Sequence, residues 1–128
     1  MSLLIKNGTI LTATSEFTGD LYIEGETIQQ TGHNLKVDAD RIVDATGRYI
    51  LPGGVDEHVH YGSFGGRLFE TAEAAAVGGT TTIVDFAPQE KDMPLLDAIR
   101  RQAAKAEHIS SVDFAFHAVI MDPKGLIC

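Results

Sequence analysis

Eight consecutive residues, Thr80-Thr81-Thr82-Ile83-Val84-Asp85-Phe86-Ala87, carry one charge and are mostly β-branched. A run of that kind suits a strand covered on both faces, and it lies between two segments of helical periodicity. Ahead of it, Leu68, Phe69, Ala72, Ala75 and Ala76 recur at intervals of three and four and predict a helix over 68–77. Gly78-Gly79 ends that helix, since a glycine just past a helix can take the left-handed conformation that satisfies orphan carbonyls. Behind the run, Asp92 is expected to cap a second helix, with Pro94 in its first turn and Leu95, Leu96, Ile99, Ala103 and Ala106 on one face. Arg100, Arg101, Lys105 and Glu107 fall on the other side. Val112 to Ile120 reads as a further strand, broken by Asp122-Pro123-Lys124-Gly125. Ile50 to His60 reads as the strand that precedes the first helix, interrupted by Pro52-Gly53-Gly54. The order βαβαβ calls for parallel strands joined by right-handed crossovers.

The first fifty residues follow another pattern, short strands joined by tight turns. Leu3 to Ile5 and Thr9 to Leu11 flank Lys6-Asn7-Gly8, a hairpin signal because Asn and Gly tolerate positive φ. Glu24-Gly25-Glu26 separates Asp20 to Ile23 from Thr27 to Gln29 in the same way, and Arg41 to Asp44 leads into Ala45-Thr46-Gly47. The predicted organisation is a β-rich segment over 1–52 and an α/β segment over 53–128.

Composition narrows the partners. The 128 residues are 44% hydrophobic, in the globular range. A net charge of −8 with scattered Lys and Arg excludes a phosphate-binding patch, so no nucleic-acid partner is expected. No segment approaches the about 20 apolar residues of a membrane span, and the start of the chain does not read as a signal peptide. Cys128 is the single cysteine, which leaves no internal disulfide and makes a reducing cytoplasm the expected compartment.

His58 and His60 are the residues that suggest chemistry. On extended chain, residues two apart leave the same face with Cα atoms roughly 6.5–7 Å apart, so both imidazoles can reach one metal ion. Asp56, two residues earlier on that face, is placed to orient an imidazole as a hydrogen-bond acceptor. An H-x-H pair alone is a weak signal, since it also fits a strand end bearing two solvated histidines. Here it follows a Pro-Gly-Gly turn and opens a βα unit, and in parallel α/β barrels chemistry gathers at the C-terminal ends of strands. Gly62, Gly65 and Gly66 would then form a loop over the site.

Several motifs in order are similar to one family. "ILPGGVDEHVH", "FGG", "FETAEAAAVGGTTTIVDFA" and "VDFAFHAVI" resemble the amino-terminal part of the cyclic amidohydrolases, most closely the dihydropyrimidinase and hydantoinase group. The upstream "LIKNGTILTA", "DLYIEGETI" and "RIVDATGRYILPGG" are similar to that family's N-terminal β-strands. The resemblance implies part of a β-sandwich followed by the first three strands and two helices of a (β/α)8 TIM barrel, incomplete as given, since a barrel takes about 200 residues or more. It further implies metal-assisted hydrolysis of a small cyclic amide at a binuclear site, usually zinc. A homo-oligomer is expected because an incomplete barrel exposes apolar strand faces that seek partners.

Carried over residue by residue, the family's H-x-H falls on His58 and His60 as metal ligands. His117 matches a strand-three histidine and is expected to pack or to orient a ligand; Asp85, at the end of the buried strand, is expected to be a hydrogen-bonding residue at the barrel mouth. The family's carboxylated lysine, its later histidines, its aspartate and its substrate-contacting tyrosine have no match here. Lys91 and Lys124 fall in loops, Asp113 at a strand start, His33 in a surface turn and His108 near the end of the second helix, where the dipole favours it. Gly65-Gly66 also runs into Arg67-Leu68-Phe69-Glu70 with fewer intervening residues than in the family, which implies a short loop over the metals. The expectation is a hydrolase of dihydropyrimidine or hydantoin rings in the family context and no activity in the 128 residues alone. The alternatives are a non-catalytic assembly protein that retains part of the fold, and a small metal-binding protein that closes its site with Asp56 or Glu57.

Overall fold

Strand β1 runs without a turn from Ser2 to Leu11, so the hairpin expected at Asn7-Gly8 does not form. The dipeptide instead makes a bulge: the register against β2 (Glu16–Glu24) shifts between Ile5 and Gly8, and Asn7 sits at φ 61°. The left-handed tolerance that suggested a hairpin here bends one strand. The turn itself lies at Thr12 to Ser15, where Thr12 Oγ1 accepts the N–H groups of Thr14 and Ser15 at 3.3 and 3.0 Å. This computed structural model describes residues 1–64 and 69–123, and the chain forms two units, Met1–Pro52 and Gly53–Cys128.

In the first unit β1 pairs antiparallel with β2, and β2 with β3 (Thr27–Gly32) through a tight turn that places Gly25 at φ 61°. Strands β4 (Arg41–Asp44) and β5 (Tyr49–Ile50) both lie parallel to β1, giving the order β3-β2-β1-β4 with β5 also on β1. Leu4, Ile10, Leu21 and Ala45 form its buried apolar set. Gly8 is required by close approach, because a Cβ there would lie 2.4 Å from Ile50 Cδ1. Asp20, 2% exposed, ties the unit together. Its Oδ1 accepts the Asn7 N–H and its Oδ2 the Leu35 N–H, both at 2.9 Å. The Asn7 bond, outweighing burial and helped by the Leu35 bond and by the charges of Lys6 and His33, lowers the carboxyl pKa below its ordinary value.

The second unit contains β6 (Gly54–Asp56), a 3-10 turn over Phe69–Ala72, α1 (Glu73–Val77), β7 (Thr80–Pro88), α2 (Leu95–Ala106) and β8 (Asp113–Val119). The strands are parallel in the order β6-β7-β8. Leu68, Gly65, Gly66, Lys124, Gly125 and Cys128 lie outside the described residues. The first helix is shorter than its periodicity suggests: Phe69 and Ala72 bury their side chains from the 3-10 turn, while Ala76 in α1 is exposed. Gly79, at φ 89°, supplies the left-handed residue beyond it.

Strand β7 is not buried on both faces. Ile83, Asp85 and Ala87 are fully buried on one side, and Thr82, Val84 and Phe86 are half-buried on the other. Ile83 joins Phe69, Ala72 and Ala106 in the core cluster, with Phe114 and Phe116 packed against it. Helix α2 keeps most of its expected face, with Ala106 buried and Leu95, Ile99 and Ala103 half-buried. Its buried line is Ala98, Gln102 and Ala106, whereas Leu96 is 52% exposed. Small residues and an amide at steps of four let the helix lie close to the strands. Asp92 does not cap α2. It stands at φ 61° with its N–H on Asp122 Oδ2 at 3.0 Å, and Pro94 (ψ 137°) occupies the N-cap position without a side-chain cap. The Pro94 carbonyl accepts the Ala98 N–H at 3.3 Å, so the helix starts at Leu95. Among the described residues no helix is long and apolar enough to cross a membrane.

Candidate metal-binding site

Strand β6 stops at Asp56, so His58 and His60 stand beyond the strand rather than on it. The chain nevertheless stays beside β7, for the Val59 N–H donates to Val84 O at 3.1 Å. Alternation therefore persists, and the two imidazoles emerge together with ring centroids 5.2 Å apart and planes at 90°. Both are exposed. They share a floor, the ring of Phe86, at 4.7 Å from His58 and 5.1 Å from His60.

Phe86 is a residue that sequence reasoning passed over. It was visible only as the neighbour of Asp85 in an apolar run, yet strand parity puts the two on opposite faces. Asp85 therefore points into the core while Phe86 carries the histidines. His117, which pairs in register with Phe86 on β8, lies 5.1 Å from the same ring. Its Nε2 is 2.9 Å from Glu57 O. A carbonyl only accepts, so Nε2 carries the proton and His117 ties β8 to the segment between Asp56 and His58.

Asp56 does not reach an imidazole. Its Oδ1 accepts the His58 backbone N–H at 3.2 Å and so shapes the chain leading to the pair. The deeper anchor is Asp85, whose residue surface is 0% exposed. Its Oδ2 accepts the Gly62 N–H at 2.7 Å, and its Oδ1 accepts the Phe86 N–H at 2.7 Å and the Ser63 hydroxyl. Ser63, 3% exposed, in turn places its Oγ 3.2 Å from His60 Nδ1. Sequence reasoning missed Ser63 too, and its only signal was a small hydroxyl three residues after a candidate ligand. Gly62 lies close over the core; a Cβ there would be 2.3 Å from Phe69 Cε2. Phe64, at φ 47°, closes the aromatic group with its ring 5.6 Å from His60.

The remaining candidates are elsewhere. His33 is exposed in a bend and Asp113 is exposed at the start of β8. His108 stands past the end of α2 at φ 65°, with Nε2 3.9 Å from Glu107 Oε1.

Two imidazole nitrogens suit zinc, but structural zinc normally takes four ligands and catalytic zinc three plus an open position. Among the described residues no group of three or more His, Cys, Asp and Glu side chains is gathered to hold a metal ion. The pair fits as part of a ligand set, and a site closed locally by Asp56 or Glu57 is not formed.

No protein-family model matches the chain. It is 44% identical over 128 residues to the D-hydantoinase of Geobacillus stearothermophilus, covering 95% of this chain and 27% of that protein. It is 41% identical over 129 residues to the D-hydantoinase of Ralstonia pickettii, covering 96% and 28%. Among solved structures, a D-hydantoinase superposes with a TM-score of 0.87 at 37% identity, over 98% of this chain and 29% of the other. The dihydropyrimidinase of Brevibacillus agri NCHU1002 does so with 0.85 at 38%, over 95% and 28%. The chain thus spans a little over a quarter of the length of the relatives it matches. Sequence and fold agree along nearly all of it, and it belongs to the cyclic amidohydrolases, corresponding to the amino-terminal part of the hydantoinase and dihydropyrimidinase group.

Proposed function

We propose that this chain supplies the first metal-binding segment of a cyclic-amide hydrolase that opens hydantoin or dihydropyrimidine rings, with His58 and His60 as two zinc ligands. The observation that carries the reading is the paired, exposed imidazoles on the Phe86 floor, set at the C-terminal end of a parallel strand in a chain homologous to hydantoinases. In this reading β6, β7 and β8 are the first three strands of a (β/α)8 barrel. The half-buried face of β7 turns inward and the face carrying Ile83 turns toward the helices. The five-stranded unit is its share of a β-sandwich. Zinc, when bound, polarises the ring amide and lowers the pKa of water toward neutrality. The chain's own part is to hold two imidazoles at fixed separation, through Asp56 and Asp85 on the backbone and His117 on the Glu57 carbonyl.

The 128 residues alone are proposed to bind metal without turnover, because two imidazoles leave the ligand set unfinished. A segment exchange tests this. The corresponding quarter of the Geobacillus stearothermophilus D-hydantoinase is replaced by this chain, and hydantoin opening is followed alongside zinc content. The expected result is a zinc-loaded, active hybrid that loses both properties on His58→Ala with His60→Ala. A folded hybrid that holds its zinc equally well without the two histidines contradicts the proposal.

A further inference from the structure

The contacts around Ser63 determine more than the position of the loop. A serine hydroxyl has one proton. Asp85 is a buried carboxylate that accepts two backbone N–H groups as well, Gly62 on Oδ2 and Phe86 on Oδ1, and the Ser63 hydroxyl donates to Oδ1. With its proton committed there, Ser63 Oγ can meet His60 Nδ1, 3.2 Å away, only as an acceptor. A neutral imidazole has one N–H, so a proton on Nδ1 leaves Nε2 with its lone pair free.

We infer that Ser63, fixed by Asp85, is a positioning residue that sets the tautomer of His60, keeping the proton on Nδ1 and presenting a bare Nε2 to a metal ion. The geometry stands on the metal-free chain; its use rests on the metal-binding reading above. Among the described residues no hydroxyl is hydrogen-bonded to the His58 ring, which packs on the rings of His60 and Phe86 while its backbone N–H donates to Asp56. The pair is therefore asymmetric: one ligand is set by a buried relay and the other by packing. Ser63 is also almost wholly buried, as is Asp85, at 3% and 0% exposure. Bulk water therefore does not compete for the hydroxyl.

The test is a long-range proton–nitrogen correlation spectrum of the histidine rings in the metal-free chain, recorded above the imidazole titration range. A zinc titration of the same protein accompanies it. The expected result is His60 protonated on Nδ1. In Ser63→Ala the proton moves at least partly to Nε2 and zinc affinity falls by about 10- to 100-fold, the usual loss when an outer partner of a ligating histidine is removed. Ser63→Thr, which restores a hydroxyl, recovers both. Slow exchange of the Gly62 amide in Ser63→Ala shows that the loop is still held by Asp85. An Nε2–H tautomer in the parent protein, or a Ser63→Ala spectrum with the His60 tautomer unchanged, overturns the inference. A parent with the Nδ1–H tautomer that fails to bind zinc retires the metal reading and leaves the tautomer assignment standing.

Discussion

Two buried aspartates, one in each unit, perform the same physical task with different consequences. Asp20 accepts the N–H groups of Asn7 and Leu35, holding a strand bulge and a loop in place. Asp85 accepts those of Gly62 and Phe86 and also holds the Ser63 hydroxyl, which faces His60. A carboxylate turned inward and saturated by backbone donors is a local organiser in both cases. The difference is what lies beyond the second bond. The bonds of Asp20 come from backbone N–H groups, whereas one bond of Asp85 comes from a hydroxyl that faces an imidazole. The same device shapes a fold in one unit and a ligand in the other.

The largest effect is expected from Asp85→Ala. It strands the Gly62 and Phe86 N–H groups and the Ser63 hydroxyl, at about 1–3 kcal/mol for each buried donor left unpaired. Urea unfolding should show a loss of about 3 kcal/mol or more in the second unit, with fast exchange at the Gly62 amide. A smaller loss would mean that the loop is held by packing on Phe69 and that the comparison fails.

Asp20→Ala removes two backbone partners and should destabilise the first unit by about 2 kcal/mol. It also has a pH signature. Because the folded-state pKa of Asp20 is lowered, chiefly by the Asn7 N–H, its contribution is complete above the ordinary carboxyl value. It is lost as pH falls from there through the lowered folded value. Urea midpoints against pH should therefore show a shallower acid-side decline in Asp20→Asn than in the parent.

Much of the second unit was legible because the βαβαβ order follows from strand and helix periods, and these survive small errors in boundaries. The errors came where tertiary contacts decide between local options. Asn7-Gly8 has the dihedral tolerance of a hairpin, but Asp20, thirteen positions on, draws Asn7 into a bulge. On the face expected for 95–106, Leu96 is exposed, while Ala98 and Gln102 are buried beside Ala106 against β7 and β8. At the site, the side-by-side placement of the two histidines could be read from spacing alone, and their metal role came from the surrounding motifs. Ser63 and Phe86 could not, since one acts through an aspartate twenty-two positions away and the other through strand parity.

His117→Ala separates support from ligation. It removes one exposed bond to Glu57 O, so stability should fall by about 0.5–1.5 kcal/mol. Zinc affinity, read by titration, should fall less than in Ser63→Ala, since His117 steadies the chain ahead of His58 and hydrogen-bonds neither imidazole. A loss comparable to that of His60→Ala would make His117 a ligand. Arg100→Ala sets the floor of the scale. Its ion pair with Asp97 is exposed on α2, and the unfolding free energy from urea titration should change by less than about 0.5 kcal/mol.

The central claim is that His58 and His60 are two ligands of one zinc ion. Zinc-edge X-ray absorption on the chain loaded with one equivalent of zinc tests it most directly. The account predicts two imidazole nitrogens at about 2.0–2.1 Å, with that scattering lost in the His58→Ala, His60→Ala double variant. A spectrum without imidazole scattering, or one unchanged by the double substitution, would contradict it.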